Sequence, residues 1–462
     1  MKNVALHNLG CKVNSYELEV MQQILQEKGF HIVPFDGPAD IYIVNTCTVT
    51  NIADRKSRQM LHRAKQMNPN AIVVAVGCYV QTAEEAVKRD DSVDLAIGNN
   101  RKKDLAAILE EYLKRRDEEA EGKLLSPDKT LQNTTVIDIN HTDEYEEMTL
   151  KQTAEHTRAY IKIQDGCNQF CSYCVIPYAR GRVRSRRQED ILSEIKGMVA
   201  AGYREVVLTG IHISSYGVDL DGGRTVYEGQ SLLLDLVEQI HKIEGLERIR
   251  LGSLEPRVIN GETVERLAKL PKLCPHFHLS LQSGCDETLR RMNRRYTTGE
   301  YCHSVELLRA AFSHPAITTD VIVGFPGETE EEFAQTKAFL EKIRFYEMHI
   351  FKYSKRAGTR AADMPDQVPD TVKTARSNEL LDMERRQSAE FREYYIGKEV
   401  AVLLEETKEI GGKRYRLGHT KDYVKVAVPR AADEDLPDAG VIVAVRPESV
   451  LKGDVLLGNL FS

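Results

Sequence analysis

The spacing of apolar positions changes several times along the chain, and each change marks a segment. From Met1 to about Arg115, short apolar runs alternate with segments whose apolar residues recur every three or four positions. The runs Val4–Leu9, Ile41–Asn45, Ile72–Val76 and Val93–Ile97 predict strands. Ser15–Lys28, Asp54–Gln66 and Ala83–Lys88 predict amphipathic helices between them. Strands and helices alternating at these lengths predict an open parallel sheet with helices on both faces. From Asp117 to Leu150 the periodicity fades and acidic residues gather (Asp117-Glu118-Glu119, Asp143-Glu144, Glu146-Glu147). This stretch reads as a solvated connector with one short strand at Thr134–Ile139.

The alternation returns near residue 158 with larger units. Strands are predicted at Tyr160–Gln164, Glu205–Thr209, Arg248–Gly252, His276–Leu281, Thr319–Val323 and Met348–Tyr353. Helices are predicted at Gln188–Ala201, Leu232–Lys242, Gly261–Leu270, Gly299–Phe312 and Glu330–Lys342. Six such βα units predict a barrel or partial barrel, with its active site at the carboxyl ends of the strands. After a helical run over Val372–Tyr395 the pattern becomes short alternating strands at Glu399–Leu404, Lys413–Leu417, Tyr423–Ala427, Val441–Val445 and Asp454–Leu457. Regular short strands between Gly- and Asp-containing turns predict a small antiparallel β-barrel, either an oligonucleotide-binding module or a structural cap. The expected class is α/β, with domains at 1–116, 153–383 and 386–462 and a connector at 117–152.

Composition adds limits. A chain of 462 residues is too long for a single core. No apolar run approaches the about 20 residues a membrane span requires, and the N-terminus enters a strand pattern at once, without a signal peptide. The nine cysteines are an odd number scattered along a long chain. That pattern favours reduced thiols in the cytoplasm over a secreted disulfide framework. A net charge of −7 means that contact with nucleic acid must come from local basic patches.

Cysteine placement carries the chemistry. Cys167, Cys171 and Cys174 form a C-x3-C-x2-C frame directly after the strand at 160–164. Three thiolates this close can hold three corners of a cubic iron–sulfur cluster. The missing fourth ligand leaves one iron open, the property that separates catalytic metal centres from closed structural ones. Zinc with a distal histidine, or simple burial, are the competing readings. Cys11, Cys47 and Cys78 each fall just past the carboxyl end of a predicted strand. In an open α/β sheet those ends converge, so three distant cysteines can share one metal, or can merely be buried. Cys274, Cys285 and Cys302 have no ligand-like spacing and read as packing residues.

Other strand ends of the central segment carry groups suited to a bound polar ligand. These are Gly210, where backbone can approach closely, the Glu255 carboxylate with the Arg257 guanidinium, and Ser280 with Gln282. Each also has an ordinary reading as a turn or cap residue. Arg180, Arg182, Arg184, Arg186 and Arg187 form a basic run beside the cysteine loop, suited to phosphate contacts with RNA or to a solvated face. Arg290-Arg291-Met292-Asn293-Arg294-Arg295 is a second such candidate.

The loop Gly166–Cys174 resembles the signature of the radical S-adenosylmethionine (SAM) superfamily, and the whole chain resembles its methylthiotransferases. The residues that carry this are Leu9-Gly10-Cys11-Lys12-Val13-Asn14, Asn45-Thr46-Cys47, Gly77-Cys78, the loop followed by Ile176-Pro177, Gly324–Thr329 and Phe351–Thr359. The resemblance implies an auxiliary-cluster domain, a radical SAM partial (β/α)6 barrel and a C-terminal RNA-binding TRAM domain. It also implies two [4Fe-4S] clusters, at Cys11, Cys47 and Cys78 and at Cys167, Cys171 and Cys174, with SAM as radical source and methyl donor. Cys-Lys-Val-Asn after Leu-Gly is similar to the branch that acts on N6-threonylcarbamoyladenosine (t6A) in tRNA, whereas the isopentenyladenosine branch shows Gly-Cys-Gln-Met-Asn. The acidic stretch Asp433-Glu434-Asp435 departs from the TRAM pattern. Implied partners are tRNA, an electron donor such as a flavodoxin or ferredoxin, and a sulfur source. A non-catalytic RNA-binding protein stabilised by zinc is the rival from another class.

Overall fold

The computed structural model describes residues 2–121, 134–152, 157–220, 231–429 and 438–461. The acidic stretch Asp433-Glu434-Asp435 lies outside them. The chain forms two compact units. One comprises Met1–Lys151, Lys162–Arg186 and Ser354–Ala362; the other comprises Gln152–Ile161, Arg187–Tyr353 and Asp363–Ser462. The segment 162–186, placed by sequence with the central barrel, packs with the N-terminal sheet.

In the first unit the order is β1 (Asn3–Asn8), α1 (Lys12–Glu27), β2 (His31–Val33), β3 (Ile41–Thr46), α2 (Asn51–Met67) and β4 (Ile72–Gly77). There follow α3 (Cys78–Thr82), α4 (Glu84–Lys88), β5 (Leu95–Ile97), α5 (Leu105–Ala120) and β6 (Thr134–Thr135). The strands form one parallel sheet in the order β2-β1-β3-β4-β5-β6. β3 and β4 are buried at every position, as expected of strands covered on both faces. α1 packs through Val13, Tyr16, Val20, Met21 and Leu25, and Thr50 starts α2 by accepting the Ala53 amide. The connector is less solvated than its charge predicts. Glu146, Met148 and Leu150 alternate inward and are buried, and the Tyr16 hydroxyl donates to the Met148 carbonyl. β7 (Ala159–Asp165) passes from the second unit into the first, where its end pairs with β8 (Arg184–Ser185). Between them lies α6 (Ile176–Arg180).

The second unit continues with α7 (Gln188–Ala200), β9 (Glu205–Gly210), α8 (Leu232–His241), β10 (Arg248–Leu251), α9 (Gly261–Ala268) and β11 (His276–His278). Next come α10 (Asp286–Arg291), α11 (Thr298–Ala311), β12 (Ala316–Val323), α12 (Glu330–Ile343), β13 (Glu347–Lys352) and α13 (Asp370–Glu393). β9 pairs with β10, and β11, β12 and β13 pair in sequence, all parallel. Parallel bridges from Ile249 to Leu273 and from Leu254 to Leu279 join the two sets into an arc, as a partial βα barrel requires. Capping boxes at Thr297 and Thr329 start α11 and α12.

The C-terminal strands β14 (Val400–Ile410), β15 (Lys413–His419), β16 (Lys425–Pro429), β17 (Ile442–Lys452) and β18 (Val455–Leu460) close into a barrel in the order β14-β15-β16-β18-β17. Every pair is antiparallel except β16 with β18. Val402, Leu404, Val426, Val428, Val445 and Leu456 fill it. Arg248 donates to the Ala401 and His419 carbonyls and Arg250 to that of Lys421, while Glu205 balances both guanidiniums. No described helix is long and apolar enough to cross a membrane.

Candidate iron–sulfur centres

Strand register brings the first three cysteines together. Asn8 on β1 stands beside Asn45 on β3, and Asn45 beside Val76 on β4. Cys11, Cys47 and Cys78 follow those aligned positions by two or three residues, at the carboxyl edge of the sheet. The order β2-β1-β3 puts the reversal of strand order between β1 and β3, with all strands still parallel, so Cys11 and Cys47 flank the topological switch point where open sheets bind ligands. Gly10 is required there. Its φ is +116°, and a Cβ would meet the Cys47 Cβ at 3.1 Å and its Sγ at 3.2 Å. Burial pushes the Cys47 thiol up to about 11, and the nearby Cys78 and Cys11 thiolates push the same way. A thiol that resists ionising beside two others is suited to a cation that neutralises it on binding.

Asn14 holds this edge in shape. Its amide donates to the Leu9 carbonyl at 2.7 Å and the Thr46 carbonyl at 3.1 Å, and Asn45 donates to the Asn14 carbonyl at 2.9 Å. Cys78 Sγ receives two N–H groups, from Arg180 Nε at 3.3 Å and Asn99 Nδ2 at 3.5 Å. Donors of this kind are found around cluster thiolates.

The second set sits on the loop between β7 and α6. Gly166 opens it with φ +72°, and a Cβ there would lie 1.7 Å from the Arg182 carbonyl oxygen. The Cys167 amide donates to the Gly181 carbonyl at 3.0 Å and the Cys174 amide to that of Cys171 at 3.0 Å. Phe170 turns the chain with φ +50°. All three cysteines are partly exposed, as an iron with an open position needs. Gly166→Ala should drive the loop off Arg182, so the protein reconstituted with iron and sulfide should hold about half the iron of the native chain. Full iron content in this variant would show that the close approach is dispensable.

Each set offers three thiols, the donor that iron–sulfur clusters take, and both lie in the first unit. Residues 354–362 of that unit support them. Arg356 donates to Asn51 and Asp54 at 2.6 Å and to Thr48 at 2.7 Å, fixing the loop after Cys47. The Ala361 amide donates to the Ser172 carbonyl inside the second cysteine loop.

The basic run differs from expectation. Arg180, Arg184 and Arg186 are buried, so they form no rim for RNA; only Arg182 and Arg187 are exposed. Arg180 pairs with Glu17 and Asp165, Arg184 reaches the Arg180 carbonyl, and Arg186 faces Glu147. Arg182 lies over the Phe170 ring at 4.5 Å. In the second basic run, Arg291 is held by Glu332. Cys274, Cys285 and Cys302 are buried.

The remaining site candidates belong to the second unit. Gly210 ends β9. Glu255 is buried and engaged by Arg257 at 2.7 Å and by His212 at 3.4 Å. The Ser280 carbonyl accepts from Tyr296 and Arg294. Gln282, with φ +71°, donates its amide to the Asp320 carbonyl and accepts from Ile322, stitching the strand ends. His278, Asp320 and His349, on three neighbouring strands, bring their donor atoms within 4.8 Å of one another.

Residues 161–340 match the radical SAM superfamily, and residues 3–98 match an uncharacterized protein family, UPF0004. The threonylcarbamoyladenosine tRNA methylthiotransferase MtaB of Bacillus subtilis (strain 168) is 38% identical over 434 residues, covering 94% of this chain and 92% of that protein. The chain belongs to the radical SAM methylthiotransferase family. A second member, the tRNA-2-methylthio-N(6)-dimethylallyladenosine synthase of Carboxydothermus hydrogenoformans, is 36% identical over 422 residues, covering 88% of this chain and 90% of that one. Among solved structures, a radical S-adenosylmethionine methyltransferase, TsrM, from Kitasatospora setae, with cobalamin and a [4Fe-4S] cluster bound, shares the fold. Its TM-score is 0.54 at 15% identity, covering 78% of this chain and 74% of that one.

Within this methylthiotransferase the sequence reading missed Asn14, Glu17, Asn99, Lys162 and Arg356. Asn14 and Arg356 lie inside the motifs quoted for the family, yet their polar tips read as surface. Glu17 lies one turn from Val13, Val20 and Met21, and Lys162 stands between Ile161 and Ile163, so each places a charge beside apolar residues, which is the signal available.

Proposed function

We infer that the chain converts t6A, beside the anticodon of tRNA on its 3′ side, into 2-methylthio-t6A. The observation that carries this reading is the pairing of two three-thiol sites in one compact unit, each matched to a cluster with an open iron. When bound, the clusters and SAM supply the radical and sulfur–methyl chemistry that adenine carbon 2 demands, a position inert to acid–base catalysis. The chain's own part is to hold the thiols. Cys167, Cys171 and Cys174 form the site for SAM cleavage, and Cys11, Cys47 and Cys78 the site for the sulfur delivered to the base. Gly210, Glu255, Arg257, Ser280 and Gln282 are assigned to SAM. Arg182 and Arg187, exposed beside the cysteine loop, and the C-terminal barrel are assigned to tRNA phosphates. Reductive cleavage consumes electrons and each turnover consumes sulfur. The reaction therefore needs a donor such as a flavodoxin or ferredoxin, and a sulfur source.

The t6A branch rests on Cys11-Lys12-Val13-Asn14 and on the relatives that carry that activity in their names. Digestion of tRNA from a deletion strain tests it. Methylthio-t6A should vanish while methylthio-isopentenyladenosine persists. The reverse pattern would move the chain to the other branch, and loss of neither would remove the assignment to tRNA.

A further inference from the structure

Arg180 stands at the centre of a buried charge network in the first unit. One end of its guanidinium grips Glu17, with Nη1 to Oε1 at 2.6 Å and Nη2 to Oε2 at 2.9 Å. Nη2 also donates to Asn14 Oδ1 at 2.6 Å, and Nη1 to Asp165 Oδ2 at 3.1 Å. Its remaining N–H, on Nε, points at Cys78 Sγ 3.3 Å away. Each nitrogen of the guanidinium therefore has a fixed direction, and one of those directions is a thiol of the N-terminal site.

The charges in this network do not cancel. Lys102, Lys162, Arg180 and Arg184 are buried cations. Through ion pairs these four cations share two buried carboxylates, Glu17 and Asp165, with buried Glu146 close by. Burial pushes the Glu146 carboxyl up, against the pull of Lys162 and Lys102. A buried excess of positive charge is costly unless an anion stands beside it. Three ionised thiolates around an iron–sulfur cluster supply such an anion, and Cys78 is the one that Arg180 touches.

We propose that Arg180 is a positioning residue of the N-terminal site that raises the reduction potential of the group held by Cys11, Cys47 and Cys78, through its Nε–H on Cys78 and its buried charge. The inference rests on the reading of these cysteines as cluster ligands. Adding an electron makes the cluster more negative, so a hydrogen bond to its thiolate and a cation beside it favour the reduced state. The same guanidinium joins this site to the second cysteine loop. Asp165, which it holds, accepts the Gly166 amide at 2.8 Å, one residue before Cys167.

The test isolates the N-terminal cluster in a full-length chain carrying Cys167→Ala, Cys171→Ala and Cys174→Ala, reconstituted anaerobically. Its midpoint potential is measured by redox titration followed by electron paramagnetic resonance. Arg180→Lys keeps the charge and loses the directed N–H, and its potential should fall by at least a tenfold change in equilibrium, about 59 mV for one electron. Asn99→Ala removes the other N–H on Cys78 and leaves all charges, and should lower the potential by a smaller step. An unchanged potential in Arg180→Lys overturns the proposal. If Arg180→Lys fails to load iron, an unchanged potential in Asn99→Ala overturns the hydrogen-bond account and a lowered one supports it. Should the unsubstituted N-terminal site itself bind no cluster, the underlying reading of the cysteines fails instead, and the two failures are told apart by iron content.

Discussion

Alanine at Cys167, Cys171 or Cys174 should abolish SAM cleavage and thiolation together, whereas Cys47→Ala should leave SAM cleavage intact and stop thiolation. The separation follows from where the thiols stand. Cys167, Cys171 and Cys174 share one short loop, opened by Gly166 and held by Gly181. Removing one leaves two ligands on a backbone that cannot supply a third, so the cluster is lost outright. Cys47 belongs to the sheet edge with Cys11 and Cys78 and contributes no atom to that loop. Its loop has anchors of its own, Ser57, whose hydroxyl donates to the Cys47 carbonyl at 3.0 Å, and Arg356 at Thr48. The measurements are 5′-deoxyadenosine release under reducing conditions and methylthio-nucleoside in digested tRNA. Thiolation that survives Cys47→Ala would show that the N-terminal site does not deliver the sulfur. Release that survives Cys171→Ala would remove the loop from SAM cleavage.

The cysteine loop was legible as one unit because its three thiols lie within eight residues of sequence, and only a short-range frame had to be read. Cys11, Cys47 and Cys78 were legible for another reason. Each follows a strand with an apolar centre, and a parallel sheet aligns such ends whatever the sequence distance between them. The partners of the arginine run were not legible in the same way. Arg180 and Glu17 lie 163 residues apart, and no local period relates them. Read alone, five arginines among eight residues look like a surface; set against Glu17, Asp165 and Glu147 they divide into three buried side chains and two exposed ones. The connector failed similarly. Its acidic residues obscured an alternation in which Glu146, Met148 and Leu150 turn inward, and Glu146 accepts the Lys103 amide. Charge density marks solvent only when no buried cation waits elsewhere in the chain.

Glu17→Ala should destabilise the first unit by about 3–5 kcal/mol, the range found when one partner of a buried ion pair is removed. Glu17 is 1% exposed and meets three cations at once: Arg180 through both oxygens, Lys162 at 2.7 Å, and Lys102. Burial would push its carboxyl up, yet these three hold it well below the usual carboxylate range. Without it, Arg180, Lys102, Lys162 and Arg184 keep only Asp165 and Glu146, and a cavity opens beneath Asn14 and the loop of Cys11. Glu17→Gln keeps the volume and should cost nearly as much, since the lost quantity is charge. The pH dependence has a definite sign. A carboxylate whose folded pKa is depressed stabilises the fold above its unfolded value near 4.5 and loses that contribution as pH falls toward the folded one. The native chain should therefore lose stability steeply on acidification below that value, and the Glu17→Gln variant less steeply. Urea denaturation of the cluster-free protein from neutral pH down to about pH 2, followed by amide exchange in β1, β3 and β4, measures both. Equal stability of Glu17→Gln and the native chain at neutral pH would mean that the cations find other anions. The charge imbalance beside Cys78 would then be smaller than the static arrangement indicates.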